Sequence, residues 1–443
     1  MSRGLIIAAA ASGSGKTVFT LGLLAALKAR GLRPASAKVG PDYIDAAFHT
    51  AAGGQPCRSL DVWAMRRDTL AAEVARLAAA GDPVIVEGVM GLFDGALVAE
   101  GDCPGSTADL AAITGWPVIL LVDLKGQSAS AAALVDGFAR HRAGLPLAGV
   151  VFNRVGGPGH RAAVEAAVAA TCPRLPRLGW LPRHPALALP ERHLGLVQAG
   201  ETAELPARIA AAAEVIAEYV DIDRLVALAR PSPLAAPAEP SPPLPPLGQT
   251  IAVARDQAFA FAYPSILAGW RQAGAELSFF SPLADEAPAP AADAVFLPGG
   301  YPELHAGRLG AAGRFLGGLR RAAAAGAWIY GECGGYMTLG TGLEDADGHR
   351  HAMAGLLPVE TSFARRRLHL GYRRAELVAA TPLGDAGRRF RGHEFHYATV
   401  TAEGEGEPLF LTGDAAGGGR GSAGRRVGRV MGSFVHLLDN QDS

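Results

Sequence analysis

Residues 10–17 read Ala-Ala-Ser-Gly-Ser-Gly-Lys-Thr, the GxxxxGK[ST] spacing with Ala10 at the first glycine position. Small residues let backbone N–H groups close around phosphate oxygens at a helix N-terminus. Gly13 and Gly15 supply that loop, Lys16 would reach the β- and γ-phosphates, and Thr17 would offer its hydroxyl to Mg²⁺. Two further segments, KVGPDYID and VEGVMGLFDG, put Lys38, Asp42, Asp45, Glu87 and Asp94 where strands end. Hard carboxylate oxygens such as those of Asp42 and Glu87 suit Mg²⁺ between phosphates. Asn153, closing LAGVVFN, either reads an adenine edge or caps a loop.

A different chemistry stands in AWIYGECGGY, residues 327–336. A nucleophile on a tight strand-to-helix turn needs small neighbours, here Gly331, Gly334 and Gly335. Cys333 at such a helix start is expected to have a lowered thiol pKa. Oxyanion donors would be the N–H of Gly334 and one from the PGG turn ending at Gly300. A thiol nucleophile wants an imidazole base, and His436 in VMGSFVHLLD is the best placed of twelve histidines. GHEFHY (392–397) adds His393, Glu394 and His396 as a metal site, a substrate-facing edge or a polar sheet face. Five arginines, 365–367 and 373–374, form either a solvated basic face or a surface for an anion with several carboxylates.

These residues need a scaffold, and the apolar pattern describes one. Runs 4–10, 35–39, 84–88, 118–123 and 147–153 read as buried strands, with helical patterns at 17–30, 68–80 and 128–142. That alternation indicates a parallel sheet covered on both faces. Runs 251–256, 276–280, 294–300 and 327–333 repeat the pattern, and from about residue 351 the texture turns to shorter strands. Between the two halves, the proline-rich stretch 231–249 reads as a semi-rigid extended linker. The expected domains are 1–230 for ATP and 250–443 for the thiol chemistry, both α/β.

Composition narrows the function. Lys+Arg 41 against Asp+Glu 42 leaves a net charge of −1, so neither nucleic acid nor an anionic membrane surface is an expected partner. No apolar run is long enough to span a bilayer. Cys57, Cys103, Cys172 and Cys333 form no CxxC pair, which suits a reducing cytoplasm. Only Lys16, Lys28, Lys38 and Lys125 among the basic residues are lysines. In a chain that otherwise writes arginine, a retained lysine points to a need for a compact ammonium.

With the P-loop, KVGPDYID, VEGVMGLFDG, LPGGYPE, GECGGYM, GHEFHY and GSFVH in this order, the chain resembles the cobyrinic/hydrogenobyrinic acid a,c-diamide synthases of cobalamin biosynthesis. The resemblance covers 1–230 and 250–443. It implies a dethiobiotin-synthetase-like P-loop domain using ATP and Mg²⁺, joined to a class I glutamine amidotransferase domain. Lys16, Lys38 and Thr17 would then serve nucleotide and metal, with Asp42 and Glu87 as metal partners. Asp45 and Asp94 would face a tetrapyrrole polycarboxylate and its acyl phosphate. Cys333 would attack the glutamine carboxamide with His436 as base, and a homodimer is the family-based expectation.

One departure matters. The wider amidotransferase pattern ends His-x-Glu, whereas Leu437 and Leu438 follow His436. A Cys–His dyad is therefore expected, with Glu394 as a remote candidate for the third role. The alternatives are a sister amidoligase (cobyric acid synthase or nickel-sirohydrochlorin a,c-diamide synthase) and a P-loop ATPase switch. The switch proteins carry an additional lysine where this chain has Ala11, and they need neither Cys333 nor His436.

Overall fold

A computed structural model describes residues 3–188, 191–192, 195–196 and 204–441. The chain forms two compact units. The first holds seven parallel strands: β1 (Arg3–Ala9), β2 (Ala35–Val39), β3 (Arg58–Leu60), β4 (Val84–Glu87), β5 (Val118–Asp123), β6 (Leu147–Val155) and β7 (Arg177–Pro182), in the order β3-β2-β4-β1-β5-β6-β7. β8 (Arg230–Pro231) adds an antiparallel bridge to the start of β1. The central strands are apolar along their whole length because helices cover both faces. Leu5, Ile6 and Ile7 of β1 are fully buried, as are Val84, Ile85 and Val86 of β4. On one face Leu5, Ile7, Leu23, Leu27, Ile85 and Ile216 share a core, packing α1 (Lys16–Ala29) and α2 (Leu205–Tyr219) on the sheet.

The second unit has its own parallel sheet. β9 (Thr250–Ala254), β10 (Glu276–Phe280), β11 (Ala294–Leu297), β12 (Trp328–Glu332) and β18 (Val430–Ser433) run in the order β10-β9-β11-β12-β18, with β17 (Arg425–Val427) antiparallel at the edge. A second, antiparallel sheet follows. It consists of β13 (His369–Leu377), β14 (Arg389–His396), β15 (Phe410–Asp414), β16 (Gly421–Ala423) and β19 (His436–Asn440), ordered β16-β15-β13-β14-β19. The chain passes from β18 in one sheet to β19 in the other within two residues, and that corner carries His436.

The proline-rich run differs from a free spacer. Its last part packs into the second unit, with Leu244 and Leu247 buried. Trp270 Nε1 donates to Pro245 O at 3.0 Å and Asn440 Nδ2 to Pro243 O at 2.9 Å. Extended proline-rich backbone makes no ladder bonds, so its carbonyls are left to accept from side chains. Segments 63–69 and 97–102 also belong to the second unit. There Trp63 lies 4.5 Å from the Tyr372 ring, Arg66 pairs with Asp439 at 2.9 Å, and Asp102 accepts from Arg374 and Arg391. Among the described residues no helix is long and apolar enough to cross a membrane.

Candidate active site

In the first unit the local sequence builds the phosphate loop. Gly13 (φ 75°) and Gly15 (φ 96°) adopt left-handed backbone that side chains resist, and Gly15 turns the chain into α1. A Cβ at Gly15 would also stand 2.6 Å from Asn153 Nδ2. Asn153 donates from that nitrogen to Ser14 O at 2.9 Å and accepts from Arg154 N, so both ends of its amide hold loops. The geometry favours loop capping over adenine reading for this residue. Lys16 Nζ meets the carbonyls of Met90 and Ala11 at 2.5 and 3.2 Å. Burial, then the neighbouring Lys38, lowers its pKa to about 8.

Parallel register brings the acids to the same edge, since β4 pairs Glu87 with Ile7 of β1 and with Lys38 of β2. Thr17 Oγ1 donates to Glu87 at 2.7 Å and lies 3.4 Å from Asp45. Lys38 Nζ sits among three carboxylates: Asp45 at 2.5 Å, Glu87 at 2.7 Å and Asp42 at 4.0 Å. Burial opposes this ammonium, but Glu87, Asp45 and Asp42 outweigh it and hold it well above the ordinary lysine range. Burial likewise opposes ionised Glu87, and Lys38 and His49 overcome it to hold the carboxyl well below its usual range. Asp45 is the weaker acid of the two, pushed up to about 7 by burial and Asp42 against the pull of Lys38. Two carboxylates sharing one ammonium separate in this way.

The distances place the three aspartates differently around this edge. Asp42 spends Oδ1 on the N–H groups of Ile44 and Asp45 at 2.9 and 3.0 Å, tying down the turn that leads into the helix Ile44–Gly53. Asp45, one turn further on, is the acid beside Thr17. Asp94 accepts from Gly91 N at 2.7 Å and so shapes the VMGLFDG turn. Sequence reasoning missed His49, whose Nε2 stands 2.6 Å from Glu87 Oε2. It had no local motif to mark it. A cavity of about 820 Å³ opens over this edge, lined by the loop glycines, Lys16, Thr17, Asp45 and Glu87. The hard-oxygen set of Thr17, Asp45 and Glu87, already gathered around a cation, fits Mg²⁺.

In the second unit the expected tight turn is present, and its backbone is strained. Cys333 has φ 47°, uncommon outside glycine, and its N–H donates to Ser433 O at 2.8 Å. A Cβ at Gly335 would lie 2.0 Å from Leu297 O, and one at Gly300 2.0 Å from Ala258 O, so neither position accepts a side chain. A Cβ at Gly334 would lie 3.0 Å from Gly300 N, which measures how closely the two expected oxyanion turns approach. The His436 imidazole covers the same turn, with Cε1 2.3 Å from where a Gly299 Cβ would stand. Gly299→Ala should therefore push the imidazole aside and cut glutamine hydrolysis on the order of 10²-fold, since about 1 Å of misplacement costs that much. Ammonium-dependent turnover measured on the same protein should be spared.

The expected dyad acquires two neighbours. Glu332, the residue before the nucleophile, lies 3.9 Å from His436 Nδ1 and accepts from Tyr330 OH and Leu437 N at 3.0 and 3.2 Å. It comes closer to the orienting role than Glu394, which Arg373 holds at 2.7 Å. His393 pairs with His436 in the β14–β19 register and stacks on it at 4.8 Å, while Tyr263 OH meets His393 Nε2 at 2.8 Å. Of the GHEFHY options, His393 is thus packing behind the base. Arg373 and Arg374 make pairs within the unit, and Arg365, Arg366 and Arg367 are exposed.

One electrostatic expectation is overturned. The Cys333 thiol is not lowered: burial, then the Glu303 carboxyl, pushes it well above the ordinary thiol range against the N–H of Gly334. Burial also holds His436 well below the ordinary imidazole value. Resting Cys333 and His436 are therefore both neutral, because a site this dry penalises either charge. Burial raises Glu332 to about 8.

Comparison with known proteins bears on both units. Residues 250–443 match the CobB/CobQ-like glutamine amidotransferase domain, and 5–197 the CobQ/CobB/MinD/ParA nucleotide binding domain. Hydrogenobyrinate a,c-diamide synthase of Brucella anthropi is 53% identical over 439 residues, covering 99% of this chain and 98% of that protein. The same-named protein of Rhizobium meliloti is 54% identical over 440 residues (98% and 99%), and that of Rhodobacter capsulatus 52% over 436 (98% and 98%).

Proposed function

The chain belongs to the hydrogenobyrinate a,c-diamide synthases, glutamine-hydrolysing ligases of cobalamin biosynthesis, and from that premise we propose how its residues divide the work. The substrate is hydrogenobyrinic acid, whose a and c acetate groups become amides. The observation that carries this reading is the near end-to-end identity to relatives of that name, together with a phosphate loop and a strained cysteine turn on one chain.

A carboxylate is a poor electrophile, so ATP first converts an acetate oxygen to an acyl phosphate. Lys16 leaves its carbonyl partners for the phosphate oxygens and offsets the transferring charge. Thr17, Asp45 and Glu87 would hold Mg²⁺, which neutralises phosphate charge when bound. Lys38 keeps Glu87 ionised and in place. In the second unit His436 takes the proton from Cys333 as Sγ attacks the glutamine carboxamide. Donors from the Gly300 and Gly334 turns stabilise the oxyanion. Ammonia leaves, water hydrolyses the glutamyl thioester, and ammonia displaces phosphate from the activated acetate.

Glu332 gives this sequence a pH signature. With its carboxyl at about 8, it is neutral near pH 7 and ionises as pH rises through that value. An anion 3.9 Å from His436 Nδ1 stabilises the imidazolium that forms when the thiol loses its proton. Glutaminase kcat should therefore climb as pH rises through about 8, and Glu332→Gln should flatten that limb. Glutamate release measured across pH for both proteins checks this; an unchanged limb in the variant removes Glu332 from the role.

The reaction is tested by mass spectrometry of products from hydrogenobyrinic acid, cobyrinic acid and nickel-sirohydrochlorin, each with ATP, Mg²⁺ and glutamine. Two acid-to-amide conversions on the metal-free ring are expected. Amides on a metal-bearing ring alone would reassign the substrate, and ATP turnover with no amide would overturn the reading. The same reading puts the enzyme in the cytoplasm, where its four free thiols stay reduced, and carries the family-based expectation of a homodimer, which light scattering checks.

A further inference from the structure

Resting on that reading and deepening it, we propose that Glu303 recognises the α-ammonium group of glutamine, receiving it on Oε2 beside Cys333. Glu303 stands in the short turn Pro302–His305, three residues past Gly300. Pro302 presses on the nucleophile turn, with Cδ 2.9 Å from where a Gly334 Cβ would stand. The glutamate is therefore carried by the backbone that lines the thiol. When ionised, its carboxylate is close enough to oppose the Cys333 thiolate.

Two observations single this carboxyl out. Although the residue as a whole is partly exposed, Glu303 Oε2 is shielded from solvent and has no hydrogen-bond partner, the backbone N–H that acts on this carboxyl being Glu303's own. The other acids around Cys333 are engaged, Glu332 by Tyr330 and Leu437, and Glu394 by Arg373. Arg366, the cation that acts on Glu303, is exposed and donates nothing to Oε2. A shielded oxygen without a partner costs free energy unless something else completes it.

The chemistry of the thiol says what that is. With the carboxamide carbon at Sγ, three C–C bonds place the glutamine α-carbon about 4–5 Å away, and its ammonium is a strong hydrogen-bond donor. Burial holds the Glu303 carboxyl at about 8, so it rests neutral at pH 7 and ionises when the ammonium arrives, its proton passing to solvent. Glutaramic acid, which is glutamine without the amino group, offers the same carboxamide but no ammonium.

Full-length protein is assayed for diamide formation with glutamine, glutaramic acid or ammonium chloride as nitrogen donor, and thermal unfolding checks the variants' folding. Glu303→Ala should raise KM for glutamine on the order of 10²-fold with little change in kcat. The preference for glutamine over glutaramic acid should fall by the same factor, and the near-isosteric Glu303→Gln should behave likewise. Equal losses with both carboxamides in the folded variants, or a preference left intact, would overturn the assignment. The unsubstituted protein with ammonium chloride separates this from the reaction itself. Amides formed there keep the ligase reading whatever Glu303 does, and no amide from any donor ends that reading instead.

Discussion

Cys333→Ala should lose glutamine-dependent diamide formation by about 10⁴-fold or more, the scale of removing a covalent nucleophile. Ammonium chloride at alkaline pH should restore it, because the activation chemistry in the first unit uses none of the residues around Cys333. The rates to compare are amide formation with glutamine and with ammonium, in both proteins. Loss with both donors, while ATP still binds, would mean that the thiol does more than release ammonia. The electrostatics of this centre add a second expectation. Moving the proton from a thiol held high to an imidazole held low is uphill in a site with so little solvation. Glutamine hydrolysis without the ring substrate and ATP should therefore be slow. Charge brought in by bound glutamine, and ionisation of Glu332, both reduce that cost.

What the sequence disclosed depended on how local each feature is. The phosphate loop is eight contiguous residues whose glycines have one conformational purpose, and the structure uses Gly13 and Gly15 in that way. The nucleophile turn is similarly self-contained, and Cys333 stands on the tight strand-to-helix turn that GxCGG implies. Features made by pairing between distant strands were not legible. Glu332 and His436 are brought together because β12 and β18 run in parallel register, with Glu332 beside Ser433. His393 lies behind His436 through a β14–β19 pairing that no spacing rule encodes. The lowered thiol pKa was inferred from helix position alone, and burial with nearby acids reversed its sign. That Asp45 rather than Asp42 stands beside Thr17, while Asp42 Oδ1 holds two backbone N–H groups, is a distinction of three residues that the sequence pattern does not encode.

Lys38→Met should be the most damaging change in the first unit. The ammonium has three donors and three carboxylates around it, two within 2.7 Å, which explains a lysine retained in a chain that otherwise writes arginine. Without it, Glu87 and Asp45 are like charges in a buried site, and leaving such a pair uncompensated costs about 3–5 kcal/mol. A lower urea midpoint should report that loss. Amide formation should fall on the order of 10²–10³-fold whether glutamine or ammonium is the donor, because the fault lies in activating the acetate. The sign of the pH dependence gives a sharper check. In the native protein Glu87 is depressed, so its stabilisation is present above the unfolded value near 4.3 and is lost as pH falls below it, while the raised Asp45 gives part of that back as pH climbs towards 7. Lys38 is raised, so its share persists up to its unfolded value near 10.4. In Lys38→Met the carboxyls have no cation, their pKa values rise, and stability should instead be greatest in acid and decline as pH climbs. A variant that keeps the native pH profile would show that His49 alone holds Glu87, leaving Lys38 free for the nucleotide. Lys38→Arg separates charge from shape. It keeps the cation but replaces a compact three-donor group with a planar fork, so it should recover much of the stability and little of the rate.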